Sequence, residues 1–182
     1  MTTYDSTDSE CTVSVYREGA LAAVGHDLRL RVMSWSMEVD VDSPAVEASF
    51  DTGSLEVVGV IADGGIDESK PSRSDRAEIE RRIRERVLES RRHPVAVFVA
   101  TRILEDAEGA RLSGLLRLHG VERPLEARIS TDRERASAAV ELDHTDFGIA
   151  PVKALLGALR VKPEVDVALW IRRREVQEEP RT

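Results

Sequence analysis

The chain has 182 residues, 41% hydrophobic and 33% charged, a composition that suits one compact domain with a real core and excludes a disordered or fibrous chain. Lys+Arg 26 against Asp+Glu 34 leaves a net charge of −8, which argues against adhesion to nucleic acid or anionic lipid surfaces. One cysteine, Cys11, excludes an intramolecular disulfide and a Cys/His zinc ribbon or finger, and it suits a reducing compartment.

Residues 1–10 are polar and acidic, with neither the basic nor the apolar region of a secretory signal, and the expected location is cytoplasmic. No run approaches the ~18 apolar residues needed for a membrane-spanning helix. The ends, 1–10 and 174–182, lack apolar periodicity and are expected to be disordered tails around a single domain over 11–173.

Most of the chain alternates with a period of two, the mark of strands with one buried and one wet face. Leu28, Leu30 and Val32 share a face, followed by Trp35, Met37, Val39 and Val41, and then by Val46, Ala48 and Phe50 across the turn cluster Asp42-Ser43-Pro44. The period changes after Ala62-Asp63-Gly64-Gly65. Asp75 with Glu78 reads as a capping-box pair, and Ile79, Ile83, Val87 and Leu88 form an apolar stripe, so a helix of about four turns is predicted. Arg81 to Arg92 is interleaved with Glu78, Glu80, Glu85 and Glu89, a solvated face of ion pairs and not a nucleic-acid surface.

The strand from Val95 to Ile103 is apolar on both faces and is the expected seat of that helix. Alternation returns with Leu112, Leu116 and Leu118, then Leu125, Ala127 and Ile129, then Ala136, Ala138, Val140 and Leu142, and finally Val165, Val167, Leu169 and Ile171. Eight or more strands with short connections predict a mainly β fold, an antiparallel barrel or sandwich with one inserted amphipathic helix. The segment from Phe147 to Lys162 fits neither period and is read as a short helix and loop over one end.

Chemistry-bearing motifs are sparse. His26 shares parity with Leu28 and is expected to point inward at a barrel mouth; His93 precedes Pro94 and reads as structural; His119 falls on the wet face with Arg117; His144 sits in a turn. No two histidines lie two, three or four residues apart, so the expectation is no metal site and no catalytic set. Phosphate-cradling and dinucleotide glycine motifs are missing too, so no cofactor is expected. Small inward residues, Ala48, Gly114, Ala127, Ala136 and Ala138, leave a cavity and a packed core equally open.

The landmarks resemble the YceI-like family of lipocalin-like barrels. They are Gly25-His26-Asp27-Leu28, Glu89-Ser90-Arg91-Arg92-His93-Pro94 leading to Phe98, the hairpin Leu118-His119-Gly120-Val121-Glu122-Arg123-Pro124, Asp146-Phe147-Gly148-Ile149, and Val161-Lys162-Pro163-Glu164-Val165. The resemblance spans about residues 12–172. It implies a lipocalin-like antiparallel β-barrel that holds a polyisoprenoid or a similar long apolar lipid, such as a fatty-acid-like chain, without catalysis. On that reading Leu28, Leu30, Phe98, Leu116, Leu118 and Phe147 line the pocket, Leu155, Leu156 and Leu159 form a lid, and His26 stands at the entrance. Two other readings compete: an interaction or stress-response module with a filled barrel, and a metal-assisted or acid–base enzyme in which His26, His119 and His144 converge. A homodimer through exposed edges is compatible with any of them.

Overall fold

The computed structural model describes residues 1–19, 25–40, 45–106, 109–132, 134–154 and 159–172. In chain order the strands are β1 (Thr2–Asp5), β2 (Glu10–Glu18), β3 (Leu28–Val32), β4 (Trp35–Asp40), β5 (Ala45–Asp51), β6 (Leu55–Ala62) and β7 (Gly65–Asp67). Helix α1 (Arg73–Arg82) follows and continues as a π-helical turn over Ile83–Val87. Then come β8 (Val95–Asp106), β9 (Gly109–Leu118), β10 (Val121–Thr131), β11 (Arg135–Asp143), β12 (Lys153–Ala154) and β13 (Leu159–Arg172). All pairings are antiparallel, in the order β1-β4-β5-β8-β9-β10-β11-β13-β2-β3-β6-β7, with β12 on β13. The mainly β, barrel-like expectation is met.

Curling comes from bent strands. β3 and β4 are two halves of one strand broken at Met33–Ser34, and β5 and β6 are two halves broken at Thr52–Ser54. At the corner the ladder is carried by Met33 N–H to Ser54 O (3.1 Å) and Asp51 N–H to Ser34 O (2.9 Å). Pairing therefore runs β2 to β3, through the bend to β4, β5 and β8, and round by β13 back to β2. The strongly curled sheet encloses an aliphatic core in which Val32, Trp35, Met37, Val46, Ala48, Phe98, Leu112, Leu116, Ala127, Phe147 and Ile149 are buried.

Residues 2–5, expected to fray, instead form β1, paired with β4 from Thr2↔Val39 to Asp5↔Ser36. The ladder thus begins at Thr2, not at residue 11. Pairing on an edge satisfies the backbone whatever the side chains, so a four-residue polar strand carries little apolar signal. Residues 174–182, the other expected tail, lie outside the described residues.

The helix is present, but its cap and its seat differ from expectation. Ser72 is the N-cap: its Oγ accepts from Asp75 N–H (3.3 Å) and donates to the Asp75 carboxylate (2.7 Å). Glu78 pairs instead with Arg81 and Arg82, and Arg81 also reaches Glu85, giving the predicted solvated ion-pair face. α1 docks on β6, not on β8. The Glu80 carboxylate accepts Val57 N–H (2.8 Å), and Arg76 Nη1 donates to Val57 O and Val58 O (3.0 Å each), so two charged side chains satisfy backbone groups of β6. The outer face of β8 stays open: Val95 and Val99 are exposed, with exposed Leu115 opposite Val99. An apolar outer face thus has the same pattern as a helix seat without being one; Val87 and Leu88, at the end of the helix, pack against the core.

Candidate functional site

The period-two inward face of the sheet supplies the core, and one end of it is closed by a short 3-10 turn, His144–Phe147. Asp143 caps that turn, its Oδ1 accepting from Thr145 N–H (2.8 Å) and Thr145 Oγ1 (2.6 Å). These bonds hold the Asp143 carboxyl below its usual range, the Thr145 hydroxyl being the main cause. The turn drives Phe147 and Ile149 into the core, each 3% exposed.

A cleft of about 100 Å³ is lined by Val15, Tyr16, Arg17, His26, Leu28, Val152, Arg160 and Val161. Its walls are apolar: Val15 pairs with Leu28 across β2 and β3, and with Val165 across β13. Its rim is polar. Tyr16 donates its hydroxyl to Asp166, and that carboxylate holds the phenol above its ordinary range. Arg17 N–H donates to Asp27 Oδ1 (2.8 Å), its Nε lies 3.8 Å from the same oxygen, and its Nη1 donates to Gly25 O. The arginine thereby fixes residues 25–27, which carry His26 to the cleft edge.

His26, expected to point inward, is exposed, and both it and Leu28 lie along the cleft. The other expected lining residues lie deeper. Leu30, Phe98, Leu116 and Phe147 are buried, and Leu118 packs against the same core half-exposed. Phe98 and Leu116 face each other across β8 and β9, with Ala48 on the other side of Phe98. The small residue beneath them is used by the ring: a Cβ on Gly114 would stand 2.6 Å from Phe98 Cζ. Leu155 and Leu156, two of the expected lid residues, lie outside the described residues, as does the Leu159 side chain.

The histidines do not assemble as the enzymatic reading requires. His144 is buried with its ring Nδ1 3.3 Å from Ile149 O, and His26 is at the cleft. His119 is not on the wet face: its side chain is 15% exposed, with its ring centroid 4.3 Å from that of His93. The residue takes a left-handed φ of 52° at the β9–β10 turn, which breaks the strand parity on which the expectation rested. Among the described residues, the one group whose ligating atoms all lie within 4.8 Å of each other is Glu89, His93 and His119. Glu89 was not among the expected ligands; its one signal in the sequence is that it stands four residues before His93.

Comparison with known structures places the fold. BcnA of Burkholderia cenocepacia superposes with a TM-score of 0.59 at 10% identity, covering 91% of this chain and 96% of that one. A polyisoprenoid-binding domain from Saccharophagus degradans gives 0.53 at 14% identity, covering 91% and 94%. The YceI protein of Campylobacter jejuni gives 0.52 at 13% identity, covering 80% and 85%. A search of curated proteins finds no match. The family model of the YceI-like domain matches residues 3–172, nearly the whole ladder from β1 to β13, and the chain therefore belongs to the YceI-like family.

Proposed function

We propose that the chain is a non-catalytic carrier of a polyisoprenoid or a similar long apolar lipid, taken up through the cleft beside His26. The observation that carries this reading is the cleft itself, with Val15, Leu28, Val152 and Val161 as apolar walls and Arg17, Arg160, Tyr16 and His26 around them. An apolar chain entering there gains about 0.8 kcal/mol for each CH₂ removed from water, and the rim groups orient its polar end. The likeness to a polyisoprenoid-binding domain supports the lipid class. A cytoplasmic location is part of the proposal: Cys11 is a buried free thiol, in keeping with a reducing compartment, and fractionation of the native host tests it.

One observation favours the second reading, a filled barrel acting through its surface. A cleft of about 100 Å³ is smaller than the roughly 150 Å³ cavity that admits benzene, so a long chain fits only if the buried core opens to admit it. Native mass spectrometry of protein purified without detergent, followed by denaturing extraction and titration with added isoprenoids, separates the two. A carrier shows one lipid per chain in the native spectrum or on titration. Leu28→Trp, a change in the cleft wall and outside the core cluster, should abolish uptake while leaving the fold intact. No bound lipid and no titratable uptake would establish the filled barrel.

A further inference from the structure

Away from the cleft, the residues joining α1 to β8 meet the β9–β10 turn in a cluster that lipid binding does not use. His119 Nε2 is buried without a hydrogen-bond partner and lies 3.6 Å from Glu89 Oε2. The His93 ring stands against the His119 ring at 4.3 Å between centroids, tilted by 48°. We propose that Glu89, His93 and His119 form a binding site for a divalent transition metal of the zinc class.

The backbone is arranged to bring these groups together. Arg92 N–H (2.7 Å) and His93 N–H (3.0 Å) both donate to Glu89 O, a tight turn that returns His93 onto the carboxylate four residues back. Glu89 and His119 are the two non-glycine residues with left-handed φ among the described residues, at 45° and 52°. Such geometry is costly for side chains with a Cβ, and it persists where the surroundings enforce it. The chain after the turn is pinned by Thr52, whose Oγ1 donates to His93 O (2.7 Å) and whose N–H donates to Pro94 O (3.0 Å). On the other side Gly120 approaches the His93 ring so closely that a Cβ there would lie 3.0 Å from Cε1. The His93 backbone is thus anchored by Thr52, and its ring lies close against the Gly120 backbone.

The donor set selects the metal. Two imidazoles and one carboxylate suit zinc and its neighbours, whereas calcium and magnesium take all-oxygen shells. Three protein ligands leave a fourth position for water or another donor, and the cluster, half-exposed, gives access. A bound cation also gives the orphaned His119 Nε2 a partner. The present counter-charge is Arg92, with Nη1 3.8 Å from Glu89 Oε2; that side chain is 78% exposed and free to swing aside. Cys11 does not compete, since burial pushes its thiol up to about 12.

The test uses the full chain after chelator treatment, titrated with Zn²⁺ alone by calorimetry and with Co²⁺ by visible absorption. One equivalent should bind. The cobalt complex should show the stronger d–d bands of a four- or five-coordinate centre. Glu89→Gln, His93→Ala and His119→Ala should each weaken binding by about tenfold or more, while His26→Ala leaves it unchanged. Glu89 and His93 are half-exposed, so their variants keep the test decisive if His119→Ala fails to fold; circular dichroism checks each. Uptake below one equivalent, or equal uptake by a folded His93→Ala or Glu89→Gln chain, would overturn the site.

Discussion

Gly114 faces the core on β9, buried and opposite Ala100 of β8, and its replacement by alanine isolates how tightly the interior is filled. In an open strand that change should help, since glycine costs roughly 0.5–1 kcal/mol relative to alanine within an element. Here the added Cβ would stand 2.4 Å from Val99 O, 2.6 Å from Phe98 Cζ and 2.7 Å from Phe98 Cε2. The oxygen is backbone and cannot yield without shifting β8, while the ring is wedged between Leu116 and Ala48 on the neighbouring strands. Overpacking of this kind costs about 1–3 kcal/mol, more than the propensity gain. The expected net loss is about 1–2 kcal/mol, read as a lower urea midpoint at unchanged slope, with melting lowered by about 2–4 °C per kcal/mol in a chain of this size. A Gly114→Ala protein as stable as the parent would refute the packing argument and show that Phe98 has room to move, as a hollow barrel requires.

Other consequences are separately measurable. Ser72→Ala removes the α1 cap and should cost about 1 kcal/mol in denaturant unfolding, whereas Asp75→Asn, which leaves the Ser72 oxygen in place, should cost less. The Cys11 thiol, raised by burial from 9.0 to about 12, should resist thiol reagents at pH 8 until the chain unfolds. In the unfolded chain the same thiol ionises first, so the folded state holds more protons between pH 9 and about 12; stability should fall through that window, and less so in Cys11→Ala. Asp143 shows the opposite sign. Its folded carboxyl titrates below 3.8, so its contribution is present above that value and lost on acidification below it, a dependence Asp143→Asn should weaken.

Much of this architecture was legible because burial on one face of a curled sheet imposes alternation directly on the side chains. Leu28 to Val32, Trp35 to Val39, Leu112 to Leu118 and Val165 to Ile171 all keep their predicted parity. What failed to show was structure held by backbone or by charge. Thr2–Asp5 is a short strand paired with β4 whose one apolar side chain, Tyr4, packs against the core, and α1 is fastened to β6 by Glu80 and Arg76, residues that read as solvated on a helical wheel. The apolar outer face of β8 pointed to the wrong seat because exposed valines look the same in sequence as covered ones. For the Glu89–His93–His119 cluster half of the signal was local, a Glu and a His four residues apart. The other half depended on a turn whose left-handed residue, His119, rotates a side chain off the parity of its strand.

The plug decides between a carrier and a filled barrel more sharply than the cleft does. Phe147 is 3% exposed, and its truncation to alanine should cost about 3–5 kcal/mol, because the surrounding strands are tied into a continuous ladder and can collapse only partly into the space left. In a carrier that space is continuous with the binding volume once the turn moves. An isoprenoid then refills it, and at a ligand concentration 100 times its Kd it restores about 2.7 kcal/mol of stability. Melting of Phe147→Ala should therefore rise on adding isoprenoid, and by more than that of the parent, whose own ring must first be displaced. If the variant melts low and added isoprenoid leaves it there, the ring occupies space that no lipid reaches. Phe147 is then simply core, and the inward small residues exist to seat aromatic rings, as Gly114 seats Phe98.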